Sequence, residues 1–462
     1  MDNQPAKKIE NSSSSDVISN LPSNIIDNIL IFLPIHEAVK TSILSKKWRF
    51  NWRYLPKLVF DYAFYERSVR YSAAKPNISE LFLNIYKVLL LHRGPIINFT
   101  FHVPLVKSYP QIDHLMHCLS KKDVHEFYFH IGTSSYGSYT LSSFLFSCVT
   151  LRRLTLSSCL LEVPLAFQGF PKLISLTFHL VRFKANVFES FMSKCPLLET
   201  LSIKYCTSRM DSLDIDLPQL KFFQFYGCFK SICFRKTCQH LSTVIFDGDF
   251  SRHETSEERI KFFESLPLIE HLRLGSDFID YMVEGTMPRK LSTTLSFLRV
   301  LELPKLNFRF TEEVSFLLCL IVSSPNLEIL EIGFVSYMDE IELPLLALEI
   351  LEVQDLLDNA LKRLRVVKMK ILHTEEVKPE LEFIKFLLAE SIVLDKMFIQ
   401  PRKGNIAEEG LQILKETLQF QCSSKKAEIE FLDAEDDGEV SSDGSEASDV
   451  DCACNFESNH FF

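Results

Sequence analysis

Apolar residues recur along most of the chain in triplets of the form apolar-x-apolar, an alternation typical of a strand with one buried face. The triplets begin at Phe99, Phe127, Leu154, Leu176, Leu201, Phe223, Val244, Leu272, Leu301, Leu330 and Leu351. Successive triplets begin 21 to 29 residues apart, and most have a leucine or isoleucine three residues upstream. A single strand of this kind cannot cover its inward side chains, so the pattern predicts repeated units that stack.

The spacing and the upstream leucine match the L-x-x-L-x-L core of a leucine-rich repeat, whose period is about 20–29 residues. Apolar helical stretches precede some strands, as at residues 187–192 and 316–321. We therefore predict an α/β fold in which residues 90–360 form an irregular leucine-rich-repeat solenoid, or horseshoe. Five cysteines at matching repeat positions are predicted to be small buried residues: Cys148, Cys159, Cys195, Cys206 and Cys228.

Side chains between and after the inward pair of each strand point to the opposite face, which is the predicted ligand face. This face comprises Thr155, Ser157, Thr177, His179, Ser202, Lys204, Gln224, Tyr226, Arg273, Glu302, Glu331, Glu352 and Gln354. Its last strands would place Glu302, Glu331 and Glu352 in register. Two interpretations stay open, namely a row that receives a basic segment of a partner, and solvated carboxylates with no partner.

Residues 16–57 follow a helical pattern instead. Pro22 suits a first helical turn, and five apolar residues then share one face: Ile25, Ile26, Ile29, Leu30 and Leu33. Pro34 should end that helix, and a short second helix should follow. Ser45 is the predicted N-cap of a third helix, with Trp48 and Trp52 on one face. Some 40 residues cannot bury a full core, so this segment should dock a partner through its remaining apolar surface.

The net charge of −10 comes from the end of the chain. Ten acidic residues and no Lys or Arg follow position 432, which leaves 50 basic and 50 acidic residues before it. We expect residues 1–15 and 433–462 to be disordered. The tail either solubilises the protein or receives phosphate from acid-directed kinases at Ser442, Ser445 and Ser448. No basic field favours nucleic acid, and no apolar run favours a secretory signal or a membrane span, so we expect a reduced intracellular compartment.

Motifs of catalysis are missing from the sequence, which has no Gly-x-Ser-x-Gly, P-loop or dinucleotide fingerprint. His114 and His117 lack the glutamate of a zinc protease and are predicted to be surface residues. A series of thiols and one imidazole, Cys228, Cys233, Cys238 and His240, is the best zinc candidate. Its four-residue gaps are atypical of zinc clips, so we predict no catalytic residue, no metal and no cofactor.

Two segments resemble known domains. Leu21-Pro22, Leu33-Pro34 and the stretch TSILSKKWR at 41–49 resemble the F-box of plant F-box proteins, with Asn51 replacing a usual apolar residue. Residues 361–432 resemble the FBD domain that follows leucine-rich repeats in plant F-box proteins, through Leu364-x-x-Val367-x-Met369 and ELEFIKFLLAES at 380–391. The usual proline after that serine is Ile392 here. The chain therefore resembles the plant F-box/FBD/leucine-rich-repeat family.

This resemblance implies a three-helix F-box at 16–57, repeats at 90–360 and an FBD cap at 361–432. It also implies the substrate-recognition subunit of a Skp–cullin–F-box ubiquitin ligase in the cytoplasm or nucleus, in which partner enzymes carry out the ubiquitin chemistry. The F-box residues implied to form or support the face for a Skp-type adaptor are Leu21, Pro22, Ile26, Ile29, Leu33, Val39, Leu44 and Trp48. The repeats would hold an unknown substrate protein, and a cullin would join through the adaptor. The alternative is a repeat scaffold that binds a partner without a ligase.

Overall fold

The computed structural model divides the chain into two compact units, Met1–Leu303 with Ser315–Leu327 and Pro304–Val314 with Glu328–Phe462. The structure describes residues 17–19, 21–69, 71–72, 75–76, 78–104, 110–132, 139–183, 187–206, 212–229, 231–235, 238–250, 256–266, 268–285, 287–308, 310–334, 361–371, 378–401 and 416–432. The expected disordered ends, the tail serines and the triplet at Leu351 lie outside these residues.

Helices and strands alternate through both units. The helices are α1 Ser23–Ile31, α2 Ile35–Lys40, α3 Tyr62–Ser68, α4 Ile78–Leu91, α5 Pro110–Ser120, α6 Val187–Met192, α7 Ser256–Glu264, α8 Ser276–Val283, α9 Thr311–Ser323 and α10 Lys378–Glu390, with 3-10 turns at Thr41–Ile43, Asn51–Tyr54 and Ser143–Ser147. The strands are β1 Lys57–Phe60, β2 Tyr71–Ser72, β3 Lys75–Pro76, β4 Asn98–Val103, β5 Glu126–Ile131, β6 Tyr139–Thr140, β7 Arg153–Ser157, β8 Cys159–Leu161, β9 Ser175–His179, β10 Arg182–Phe183, β11 Thr200–Lys204, β12 Ser212–Ile215, β13 Phe222–Phe229, β14 Ser231–Phe234, β15 Thr243–Phe250, β16 His271–Leu274, β17 Val300–Leu306, β18 Ile329–Phe334, β19 Val366–Ile371, β20 Lys396–Pro401 and β21 Glu428–Phe431.

The first unit contains a parallel sheet with the order β1-β4-β5-β7-β9-β11-β13-β15-β16-β17 among the described strands. Equivalent residues of the repeats stand opposite one another, so that Phe99 pairs with Phe127 and Phe127 pairs with Leu154. The same register continues to β16, where Leu272 pairs with Leu301. Ten of the predicted triplets thus lie on strands, which confirms the interpretation of the apolar alternation.

In the second unit, β18, β19, β20 and β21 pair in parallel in that order. Val367 of β19, within the segment that resembles an FBD domain, pairs with Leu330 of β18. Phe383 of α10 packs on Phe308, with 4.9 Å between the ring centroids. The segment therefore continues the strand pattern of the repeats, which the sequence analysis had not proposed for it.

Phenylalanine rings fill the start of the repeat core. Phe99 stacks on Phe127 with 5.9 Å between centroids, and Phe101 stacks on Phe129 with 5.7 Å. Phe60 of β1 adds a tilted ring 5.5 Å from Phe99. Because each of these rings has its equivalent on the neighbouring strand, the phenylalanines of β4 and β5 serve as repeated core residues.

Three strands of the sheet end in a residue with left-handed backbone: Ser158 (φ 57°), Leu180 (φ 52°) and Tyr205 (φ 51°). Each donates its backbone N–H to a carbonyl of the next repeat, as Ser158 N does to His179 O at 2.9 Å and Leu180 N to Lys204 O at 2.9 Å. The left-handed turn directs the following residue, for example Cys159, into the core. Non-glycine residues seldom adopt this conformation, so its recurrence marks a fixed turn of the repeat.

The prediction that five repeat cysteines are buried is wrong for one of them. Four thiols are buried, at Cys148, Cys159, Cys195 and Cys206, whereas Cys228 is exposed. Gly227 stands where the other repeats turn, and β13 continues through it to Phe229. Cys228 therefore remains in the strand and is not turned into the core.

The N-terminal segment has two α-helices rather than three. Pro22 is the N-cap of α1 instead of its first residue, and its carbonyl accepts from Ile25 and Ile26. Ser45 caps no helix, since the chain runs through turns to the 3-10 segment Asn51–Tyr54. Trp48 Nε1 donates to Ile18 O at 3.0 Å, so a long-range contact holds this region in addition to the local hydrogen bonds of its turns.

Candidate functional site: an apolar F-box surface and a polar strand face

The F-box module, residues 17–60, is anchored by its two tryptophans. Trp48 and Trp52 are both buried, as are Ile26 and Leu30 of α1. The Arg53 carbonyl accepts from the backbone N–H of Arg93 at 2.8 Å and from that of Gly94 at 3.1 Å. These contacts fix the module against the chain that leads into β4.

Large apolar side chains remain exposed on this module, and we name five of them the F-box apolar set: Ile29, Ile31, Phe32, Ile43 and Leu44. Phe32 is 86% exposed and Ile43 is 88% exposed. Two such side chains in a segment of about 40 residues leave apolar surface that the module itself does not cover, and exposed apolar surface of this kind marks sites of protein–protein contact. The module can therefore bind an apolar partner surface without opening its core.

The residues implied to form or support the adaptor face divide into three groups. Exposed are Pro22, Ile29 and Leu44; half-buried are Leu21, Leu33 and Val39; buried are Ile26 and Trp48. Ile26 and Trp48 therefore act in this structure by supporting the module rather than by presenting a surface. Sequence reasoning did not single out Phe32, which lies past the apolar stripe of α1, or Ile43, which it placed only within the short second helix.

The strand face of the first unit carries a continuous polar row between the inward residues. Thr155, Thr177, Ser202 and Gln224 stand opposite one another in register. Ser202 Oγ donates to Gln224 Oε1 at 2.9 Å. The predicted ligand face is thus contiguous from β7 to β13.

A second polar row lies two residues further along the strands. Its first four members, which we name the histidine row, are His102, His130, Ser157 and His179 on β4, β5, β7 and β9. Ser157 Oγ lies 2.9 Å from His130 Nδ1 and 3.0 Å from His179 Nδ1. The His102 ring meets the His130 ring edge-on at 4.4 Å between centroids. The predicted ligand residues Lys204 and Tyr226 continue this row, with the ammonium 5.7 Å from the ring centroid.

Two histidines of this row, His130 and His179, have pKa values below the ordinary value of 6.5 and are therefore neutral near pH 7. Burial, together with the neighbouring imidazoles of His102 and His179, lowers the pKa of His130 to about 4. Burial also lowers the pKa of His179, and the Lys204 ammonium lowers it further. Sequence reasoning missed His102 and His130, although their spacing after Phe101 and Phe129 equals that of His179 after Phe178.

The glutamates of the later strands are already paired. Glu302 Oε1 lies 2.6 Å from His271 Nε2, and Glu302 Oε2 accepts from Arg273 at 2.9 Å. The hydrogen bond from His271 and the Arg273 charge lower the pKa of Glu302. Glu331 lies 3.4 Å from Lys368 Nζ in the second unit. These pairs contradict the interpretation of Glu302 and Glu331 as carboxylates with no partner, because each has a basic neighbour on the same protein. That they receive a basic segment of a partner stays a prediction, and Glu352 and Gln354 lie outside the described residues.

Metal-ligating side chains do not converge within the described part of the chain, where no group of three or more His, Cys, Asp or Glu could hold an ion. Cys238 Sγ lies 3.3 Å from Ile215 O, while Cys233 is exposed. His114 is exposed on α5 and His117 packs on Phe144, with ring centroids 4.5 Å apart. Over the same residues, none of the helices has the length and apolar character needed to traverse a bilayer.

Two family models match the chain. An F-box domain matches residues 18–60, and the LRR repeats of the FBD-associated F-box protein At5g56370 match residues 112–332. The F-box/FBD/LRR-repeat protein At1g13570 of Arabidopsis thaliana is 33% identical over 424 residues, which cover 91% of this chain and 99% of that protein. The chain belongs to the F-box/FBD/LRR-repeat family.

Other relatives match over a shorter length. The putative F-box/FBD/LRR-repeat protein At4g13965 of A. thaliana is 32% identical over 46% of this chain and 48% of that protein. The FBD-associated F-box protein At4g10400 of A. thaliana is 34% identical over 45% of this chain and 49% of that protein. Neither matching family model is that of an enzyme, and the F-box at the N-terminus followed by leucine-rich repeats agrees with the sequence analysis.

Proposed function

We propose that this F-box/FBD/LRR-repeat protein is the substrate-recognition subunit of a Skp–cullin–F-box ubiquitin ligase. The F-box binds a Skp-type adaptor, the adaptor brings a cullin, and the strand face holds the protein to be ubiquitinated. The chain contributes recognition and no catalytic residue. The proposal includes an irregular repeat solenoid with an FBD cap over residues 361–432, action in the cytoplasm or nucleus, and no nucleic-acid or membrane partner.

The observation that carries the proposal is the exposure of Phe32 and Ile43 on a module whose tryptophans are buried. An aromatic and a branched aliphatic side chain that are both free of the core are suited to be anchors of an interface. Leu21 and Pro22, in contrast, contribute their backbone carbonyls to hydrogen bonds within the module. The Leu21 carbonyl accepts from Lys47 Nζ, and the Pro22 carbonyl accepts from the backbone N–H groups of Ile25 and Ile26 at the start of α1. Substitutions at Phe32 or Ile43 therefore test binding with the least damage to folding.

The test is a pulldown of a plant Skp-type adaptor and a cullin by the full chain. We expect wild type to retain both, Phe32→Asp to lose both, and Leu165→Asp to retain both. Leu165 is a matched control because it is a fully exposed apolar residue in the repeats. If wild type captures no adaptor, the ligase assignment fails and the repeats must be treated as a scaffold. If Phe32→Asp binds as wild type does, Phe32 is not part of the surface that binds the adaptor.

A further inference from the structure

The histidine row has a hydroxyl that two imidazoles share. Ser157 is buried, and its Oγ is within hydrogen-bond distance of Nδ1 of both His130 and His179. A serine hydroxyl has one hydrogen, so it can donate to only one of the two nitrogens. When both rings are neutral, the other ring must therefore donate its own Nδ1–H to the serine oxygen. The two histidines are forced into opposite tautomers.

The tautomers determine what the row offers to a ligand. A neutral imidazole that donates through Nδ1 has a bare Nε2, and one that accepts at Nδ1 carries its hydrogen on Nε2. Among the described residues neither Nε2 has a hydrogen-bond partner, and neither is a buried polar atom left unpaired. The neutral row thus presents one donor and one lone pair. A single added proton on the bare Nε2 turns it into two donors with a positive charge.

The groups that lower the pKa values of the two rings, apart from burial, are imidazoles and one ammonium. His102 faces His130 from β4, Lys204 faces His179 from β11, and these groups with burial set both pKa directions. Tyr205, at the edge of the row, lies 6.2 Å from the His179 ring centroid. No carboxylate among the described residues contributes to the pKa of either histidine. The carboxylate of this row is Asp247, which stands opposite Tyr226 on β15, two strands beyond Lys204. It does not contribute to the pKa of either histidine, so an anion from outside would stabilise the protonated rings.

We propose that Nε2 of His130 and of His179 form a site for an oxyanion of the bound substrate segment, that Lys204, which stands opposite His179 on β11, adds positive charge to it, and that the site takes up one proton when the oxyanion binds. The oxyanion is a carboxylate or a phosphate, which share the acceptor geometry that two N–H donors and an ammonium recognise. The identification of the ligand as part of a substrate rests on the proposed function. The anion site itself does not.

The test is NMR of the full chain labelled with ¹³C and ¹⁵N at histidine, titrated with pH in inorganic phosphate, in acetate and in chloride at equal ionic strength. We expect phosphate to raise the midpoints of His130 and His179 by about one pH unit relative to chloride. Acetate distinguishes a site for any oxyanion from one that requires phosphate. The His114 resonance, from an exposed residue of α5, is the internal control and should be the same in all three salts.

Two variants decide the mechanism. In Ser157→Ala the ¹⁵N shifts should no longer report opposite tautomers, and the two rings should titrate independently. His179→Gln keeps a polar side chain at the site and should reduce the phosphate shift at His130 at least threefold. The proposal is overturned if phosphate and acetate leave both midpoints at their chloride values, or if the tautomers in Ser157→Ala match wild type. Adaptor binding by the same samples is read separately, so failure here is distinct from failure of the ligase assignment.

Discussion

The F-box module and the repeat sheet differ in the exposure of their large apolar side chains. In the sheet, Phe101 and Phe129 stack out of contact with water. In the module, Phe32 and Ile43 are almost fully exposed. The sheet also uses its outward polar groups on itself, as in the pair Ser202–Gln224 at 2.9 Å.

The two regions are therefore suited to different kinds of binding, polar on the strand face and apolar on the F-box module. A repeated strand receives its core from its neighbours, so its outer face can vary in polar chemistry without loss of the fold. A module of about 40 residues has no such neighbours and leaves apolar area for another protein.

Truncation of matched phenylalanines should separate the two regions most clearly. Phe129→Ala removes a ring that stacks on Phe101 at 5.7 Å and on Phe127 at 6.1 Å. We expect a loss of about 3–5 kcal/mol in the free energy of unfolding, because a cavity remains in the core. Phe32→Ala should change it by less than about 0.5 kcal/mol. Urea unfolding followed by circular dichroism measures both, and equal losses would contradict the division.

Substitution of a glycine with a positive φ in the repeats should cause the second-largest loss in the free energy of unfolding. Gly169 has φ 115°, and a β-carbon there would overlap the Lys194 carbonyl oxygen. That carbonyl accepts from Phe170 N at 3.1 Å, so it cannot move without loss of a hydrogen bond between repeats. Gly169→Ala should cost about 2 kcal/mol of unfolding free energy. Leu165→Ala, a nearby exposed control, should be neutral; a neutral result at both positions would show that the loop is free to adapt.

The strands could be predicted from the sequence because their inward residues recur at similar spacing and because the stacked repeats must align these residues. It was insufficient at three places where distant contacts decide the structure. Trp48 bonds to Ile18 instead of completing a third helix, and Gly227 lets β13 run on past the point where Ser158 turns the chain. The histidine row was missed because Ser157 meets both imidazoles only once the strands are paired.

Acid should weaken the folded state through the histidine row. Burial and two neighbouring imidazoles lower the pKa of His130 to about 4, below its ordinary value of 6.5. Between these pH values the unfolded chain binds a proton that the folded chain does not, so stability falls as the pH falls. We expect His130→Gln to reduce that loss by about 1–2 kcal/mol, after allowance for the solvent that reaches the ring. Unfolding midpoints at pH 7 and pH 4.5 measure it, and an identical pH dependence in the variant would refute the assignment.

The smallest effects should come from the ion pairs of the sheet. Glu302 is half-buried between His271 and Arg273, and Glu302→Gln should cost about 1 kcal/mol in unfolding free energy. Lys221 pairs with Glu199 at 2.9 Å in an exposed position. Lys221→Ala should therefore be close to neutral. A larger loss at Lys221 than at Glu302 would mean that burial does not set the strength of these pairs.

The dissociation constant of the full chain for a plant Skp-type adaptor shows whether the F-box apolar set binds the adaptor. It should be measured for wild type, Ile43→Asp and Leu165→Asp, which place the same charge on two exposed apolar positions. We expect Ile43→Asp to weaken binding at least ~30-fold, equivalent to about 2 kcal/mol, and Leu165→Asp to leave it within ~twofold of wild type. Binding that is unaffected by Ile43→Asp, or that both variants weaken equally, would contradict the assignment of recognition to the F-box apolar set.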